Sequence, residues 1–142
     1  RRPAAGPVRV MRAAAGGPVS FWAPGLPGET TWAYRLAQHL PGWGVYALEA
    51  RGLARPDRAD RTVGRMAAYY LKAVRAVAPH GPYVLGGISM GGLVAMEMAR
   101  RLRARGEAVS DLVLLDTYPP DTDELDALRP LLGTHHPAAL GT

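Results

Sequence analysis

Apolar positions along the chain fall into runs whose period switches between that of a strand and that of a helix. Val8-Arg9-Val10-Met11-Arg12 alternates apolar and charged residues, the mark of a half-exposed strand. Pro18 to Ala23 is a short run of buried-strand character, Gly44 to Leu48 a second, Tyr83 to Ile88 a third, and Leu112 to Asp116 the last clear one. Between these runs the helical period takes over. Trp32, Ala33, Leu36, Ala37 and Leu40 share one face behind Thr30 or Thr31, either of which can cap, and Pro41-Gly42 stops that helix. Val63, Met66, Ala67, Tyr70, Leu71, Val74 and Val77 form a second stripe, capped near Thr62 and ended by Pro79-His80-Gly81. A third helix is expected over Gly91 to Arg105, with Leu93, Met96, Ala99 and Leu102 inward and Gly106 closing it. Arg51 to Arg61 reads as a polar loop, and Asp121 to Leu132 as an acidic helical stretch.

Continuously apolar strands alternating with helices imply a mostly parallel sheet with helices on both faces, so the fold class is α/β. Residues 1–7 are rich in Pro, Gly and Ala and read as a linker or frayed end, 8–120 as the core.

Composition narrows the class. A chain of 142 residues with 48% hydrophobic content suits a single domain with a real core. There is no Cys, hence no disulfide framework, thiolate metal site or Cys nucleophile. No apolar run approaches the roughly 20 residues that span a bilayer, and no long apolar segment follows Arg1-Arg2-Pro3. A cytoplasmic domain that does not engage a membrane is the expectation. The net charge of +5 is carried by 16 Arg against the single Lys72. With one Ile and no Asn, that bias looks like the spelling of a GC-rich genome. No basic stretch is interleaved with stacking aromatics, so nucleic acid is not an expected partner.

The sharpest chemical feature is Gly87-Ile88-Ser89-Met90-Gly91, where a strand hands over to a helix. Only a very tight turn lifts a serine Oγ clear of the sheet, and glycines two residues either side avoid collisions between Cβ and backbone. The turn also sets Ser89 at a helix N-terminus, whose partial positive charge favours a developing oxyanion. With this Gly and Ser content the pattern arises by chance about 0.04 times per chain. A glycine-rich turn serving only helix–sheet packing is the bland competitor. Gly86 to Gly91 has P-loop spacing, but Gly92-Leu93 stands where Lys-Ser/Thr is required.

A nucleophilic serine needs a base and an orienting carboxylate. Asp116 closes the next strand at the same carboxyl edge of the sheet, where α/β sites assemble; taken alone it could equally be a strand-end turn aspartate. An oxyanion hole needs two backbone N–H groups. Met90 supplies one; the other falls to Gly25 or Leu26 of the loop Ala23 to Gly28, because its prolines have no N–H, and Leu26 is favoured.

The blocks Gly81-Pro82-Tyr83-Val84-Leu85-Gly86-Gly87-Ile88-Ser89-Met90-Gly91-Gly92, Ala99 to Gly106 and Leu114-Leu115-Asp116-Thr117-Tyr118-Pro119-Pro120 resemble the thioesterase domains of polyketide and nonribosomal peptide synthetases. Ala47 to Leu53 fits the family's strand-to-loop passage, and the similarity runs from about Val8 to Pro120. The resemblance implies an α/β-hydrolase fold, incomplete at its C-terminus, with 121–142 beginning the lid. It implies Ser89 as the acyl-accepting serine, Asp116 as the triad acid, and Leu26 with Met90 as oxyanion donors. The implied activity releases an acyl or peptidyl chain from the phosphopantetheine of a carrier protein, as an acid or a ring, with no cofactor or metal of the domain's own. The partners are then the acyl or peptidyl carrier protein and its small acyl substrate.

Two departures stand out. Many members have His-Pro where this chain has Ala23-Pro24. The family's triad histidine lies well downstream, so it is expected outside this chain. His39 and His80 read as surface residues, and His135-His136 fall in the lid region with no strand end to fix them; that pair is also a weak metal hint without a third ligand. Two alternatives stay open. One is a carboxylesterase or lipase-type hydrolase, and the other a non-catalytic remnant that docks an acidic carrier protein through Arg100, Arg101, Arg103 and Arg105, a cluster that otherwise reads as a solvated helix face.

Overall fold

A computed structural model describes residues 6–117. Five strands form one sheet in the order β1-β3-β2-β4-β5, with β1 Val8–Arg12, β2 Val19–Ala23, β3 Gly44–Leu48, β4 Tyr83–Ile88 and β5 Val109–Leu115. β3, β2, β4 and β5 run parallel, while β1 lies antiparallel against β3, with Val8 opposite Leu48. The expected mostly parallel α/β sheet is therefore present, closed at one margin by an antiparallel strand whose alternating sequence suits a half-exposed edge. α1 (Trp32–Gln38), the one-turn α2 (Arg51–Ala54), α3 (Val63–Val77) and α4 (Met90–Ala104) fill the connections, with a 3₁₀ turn over Pro56–Arg58.

Alternate strand residues feed two cores. Phe21, Leu48, Tyr83 and Leu85 pack beneath α3 and α4 with Val63, Tyr70, Val74, Val94, Met98 and Leu102. Trp22 and Val45 face the other way, against Ala37, Trp32 and Leu36 of α1. Among the described residues Ser20 is the one buried polar side chain, and it is satisfied: its Oγ donates to the Gly44 carbonyl at 3.0 Å and accepts from Trp22 Nε1 at 2.8 Å. That removes the penalty an unpaired hydroxyl would carry at this depth.

Several boundaries differ from the sequence reading. Pro7, within the stretch read as a linker or frayed end, is buried and its carbonyl accepts from the Glu49 N–H at 2.7 Å. Arg51 to Arg61 is not all loop; it holds α2 and the 3₁₀ turn. α1 stops at Gln38, short of the stripe's last member Leu40, and neither threonine caps it by side chain; the Glu29 carboxylate instead accepts from the Thr31 N–H at 2.7 Å. Thr62 does cap α3, accepting from Arg65 N–H at 3.1 Å. Val77, the end of the α3 stripe, is exposed, and in α4 Met98 is buried where Met96 is only half-buried. α4 is covered by both the sheet and α3, so a single inward stripe understates its burial. β5 begins at Val109, three residues before the expected start, and Asp116 stands just past its end. The expected helix over Asp121 to Leu132 and the lid over 121–142 lie outside the described residues.

Candidate active site

β4 runs straight into α4, and the joint between them is the single residue Ser89, with φ +52° and ψ −124°. A non-glycine residue in this region is strained and persists only where its surroundings fix it. Here they do. The Ser89 N–H donates to the Leu115 carbonyl at 2.9 Å, and its own carbonyl accepts from the Gly92 N–H at 3.0 Å and from Thr117 Oγ1 at 2.8 Å. The glycines flanking the turn are sterically required. A Cβ on Gly87 would lie 2.1 Å from the Gly91 carbonyl oxygen, and one on Gly91 would lie 2.3 Å from that of Ala23. Both obstacles are backbone and cannot yield. Ser89 itself is exposed, so the turn presents its hydroxyl at the carboxyl edge of the sheet.

Asp116 meets it there. Leu115 and Thr117, its two chain neighbours, are the residues that hold the Ser89 main chain, so the acid's backbone is fastened alongside the serine's. Asp116 has φ +48°, a second strained position at the same edge, and its side chain is exposed. Sequence reasoning paired Ser89 with Asp116 through strand order, and the structure brings them together. It missed Thr117, whose hydroxyl also reaches the Leu115 carbonyl at 3.1 Å. A threonine two residues beyond a strand carries no local signal of such a role.

The loop after β2 closes over the elbow. A Cβ on Gly25 would lie 3.3 Å from Ser89 Cβ and 4.0 Å from its Oγ, so the main chain of Gly25 runs beside Ser89. Leu26 follows directly, its side chain exposed. On the other side Met90 opens α4, where the first N–H groups of a helix have no intrahelical acceptor.

Neither histidine among the described residues stands at this edge. His39 follows the C-terminus of α1 and His80 follows α3; both helices run back to the amino edge, away from Ser89. His80 is committed there, its Nδ1 3.1 Å from Glu107 Oε1, while Glu107 Oε2 accepts from the Gly81 N–H at 3.0 Å. That N–H and the His80 ring hold the Glu107 carboxyl below its usual range. His135 and His136 lie outside the described residues. Among the described residues no three His, Asp or Glu side chains gather as a metal site would require, and no helix is long and apolar enough to cross a membrane.

The chain is similar to proteins already known. A dimodular nonribosomal peptide synthase of Bacillus subtilis is 38% identical over 125 residues, 80% of this chain and 5% of that protein. Polyketide synthase PksR of the same species is 37% identical over 58% of the chain and 3% of its own length. Among solved structures, the NocB thioesterase domain from the nocardicin cluster matches with a TM-score of 0.71 at 35% identity, over 79% of this chain and 50% of that one. The type II thioesterase BorB from the borrelidin cluster matches with the same TM-score at 27% identity, over 80% and 48%. The chain thus spans about half of these solved thioesterases, and a small fraction of the synthases. Its sheet and helices are those of their α/β-hydrolase fold. The family model described as Thioesterase domain matches residues 21–134, and the chain belongs to that family.

Proposed function

We propose that this protein is the nucleophile-bearing part of a serine thioesterase that takes an acyl or peptidyl chain from the phosphopantetheine thioester of a carrier protein. The observation that carries the reading is the fastening of Ser89 on its strained turn to both neighbours of Asp116. Ser89 Oγ attacks the thioester carbonyl; the C–O bond to Ser89 forms, the C–S bond breaks, and the serine proton passes through a histidine base to the leaving thiolate. Asp116 orients that base and offsets its charge. The transient oxyanion is held by the N–H of Met90 and that of Leu26, the latter drawn toward Ser89 by Gly25. Water then releases an acid, or an internal hydroxyl or amine releases a ring. The base comes from outside residues 6–117, because both described histidines stand at the opposite edge.

The same NocB domain has been crystallised as a covalent complex with a fluorophosphonate nocardicin G analogue, so a fluorophosphonate is a fitting probe here. The expected result is an adduct on Ser89, found by peptide mass spectrometry and abolished by Ser89→Ala, and faster acylation by a carrier-bound thioester than by an oxygen ester of equal length. Adduct formation that survives Ser89→Ala, or a preference for the oxygen ester, overturns the proposal. If His135 or His136 supplies the base, labelling is expected to be rapid and stoichiometric, and to slow in the corresponding His→Ala variant.

A further inference from the structure

Six of the chain's 17 Lys and Arg residues line one cleft. An open cleft of about 880 Å³ lies between the outer flank of α3 and the start of β1. Its walls carry six cations, Arg9, Arg51, Arg55, Arg58, Arg65 and Lys72, against two carboxylates, Glu49 and Asp60. Those carboxylates are engaged: Glu49 with Arg9 at 3.1 Å, Asp60 with Arg51 at 3.5 Å. Arg55 pairs with Asp57 at 3.0 Å. Among the described residues Arg58, Arg65 and Lys72 have no carboxylate partner. Arg65, Tyr69 and Lys72 fall at i, i+4 and i+7 on α3 and so line one flank. A concave surface with this excess of uncompensated positive charge attracts and orients an acidic partner.

We infer that this cleft is where the carrier protein docks, an inference that rests on the function proposed above. Val8 of β1 pairs with Leu48 at the carboxyl end of β3, so the cleft opens at the sheet edge where Ser89 stands. The strand order puts three interstrand steps, about 14 Å, between β1 and β4. A carrier seated here holds its tethered acyl chain along the edge that bears the nucleophile. The cluster singled out from sequence does not meet this condition. α4 starts at Ser89 and runs away from it, placing Arg100 to Arg105 roughly 16–24 Å along the axis, at the amino edge. Arg100 and Arg101 are also spent on Glu97, at 2.7 and 2.9 Å. RNA is a poorer fit, because the walls hold a single aromatic ring, Tyr69, and Arg51 already covers one of its faces, 4.0 Å from the centroid.

The recognition is of charge rather than of one carrier's sequence, so a strongly acidic bacterial acyl carrier protein, in apo and phosphopantetheinylated forms, is a fair probe. Titrated into the 142-residue chain, both forms are expected to bind, and to bind more weakly as salt rises from about 50 to 500 mM. Arg65→Glu with Lys72→Glu is expected to weaken binding at low salt by about tenfold or more, and Arg103→Glu with Arg105→Glu by less than about twofold. If circular dichroism shows the reversal pair unfolded, Arg65→Gln with Lys72→Gln is used, with an expected loss of about threefold or more. No binding to the wild-type chain overturns the inference, as do indifference to salt, an equal loss in the Arg103/Arg105 pair, or tighter binding of single-stranded RNA or phosphatidylserine vesicles. Fluorophosphonate labelling of Ser89 that persists while carrier binding fails strikes the cleft alone; failed labelling strikes the proposed function.

Discussion

At the scale of single residues, the site depends on a fixed backbone more than on any one side chain. Thr117 is the clearest instance, since its one hydroxyl reaches the carbonyls of both Ser89 and Leu115 and so joins the Ser89 turn to the strand that leads into Asp116. Thr117→Val keeps the shape and removes the donor. Both carbonyls retain a second hydrogen bond, from Gly92 and Ser89 respectively, so neither is orphaned. The expected cost is about 1 kcal/mol of stability, with fluorophosphonate labelling of Ser89 slowed by about fivefold, while Thr117→Ser restores both. A stability loss without slower labelling, or a serine variant as slow as the valine, would show that Thr117 only packs. Ser89, Gly87 and Gly91 were legible because the elbow is a local motif whose spacing has one steric solution. Thr117 was not, because its role exists only once residues 89 and 117 are brought together.

Elements were read well where one period dominated and poorly where tertiary contacts set the ends. β3 and β4 match their runs end to end, whereas the start of β5 at Val109 was hidden because exposed Ser110 and Asp111 break the apolar run. Arg51 to Arg61 misled because its polarity hides two short helical turns. Within α4 the salt link of Glu97 to Arg100 and Arg101 lies on the helix surface. Hydrogen bonding from Arg100 first, and then from Arg101, holds the Glu97 carboxyl below its ordinary value of 4.5 despite partial burial. Because the folded value is the lower one, the stabilisation is fully present above about pH 4.5 and disappears as the pH falls through the lowered value. With both arginines partly exposed, the contribution at pH 7 is about 1 kcal/mol or less. Urea melts at pH 7 and pH 3 should therefore show Glu97→Gln less stable than wild type at the higher pH, with a smaller deficit at the lower; an equal deficit at both would mean that the charge is irrelevant.

For the whole molecule, the decisive feature is the outer side of β5. β4 pairs along one side of it, and among the described residues no strand pairs along the other. An unpaired edge presents a row of backbone donors and acceptors that template further pairing. This one also carries Leu112 and Leu114, exposed at 38% and 41%, where a finished sheet would bury alternate leucines. The opposite margin is protected, because β1 is antiparallel, short, and charged at Arg9 and Arg12. Asymmetry of this kind predicts association through β5 and not through β1. The 142-residue chain should therefore scatter light as more than a monomer at tens of micromolar, and Leu112→Lys with Leu114→Lys should return it toward a monomer with its circular dichroism unchanged. Lysines at Val8 and Val10 on the other margin should leave the association as it was. A wild-type chain that stays monodisperse and monomeric at that concentration would mean that the β5 edge is not open to pairing with another copy.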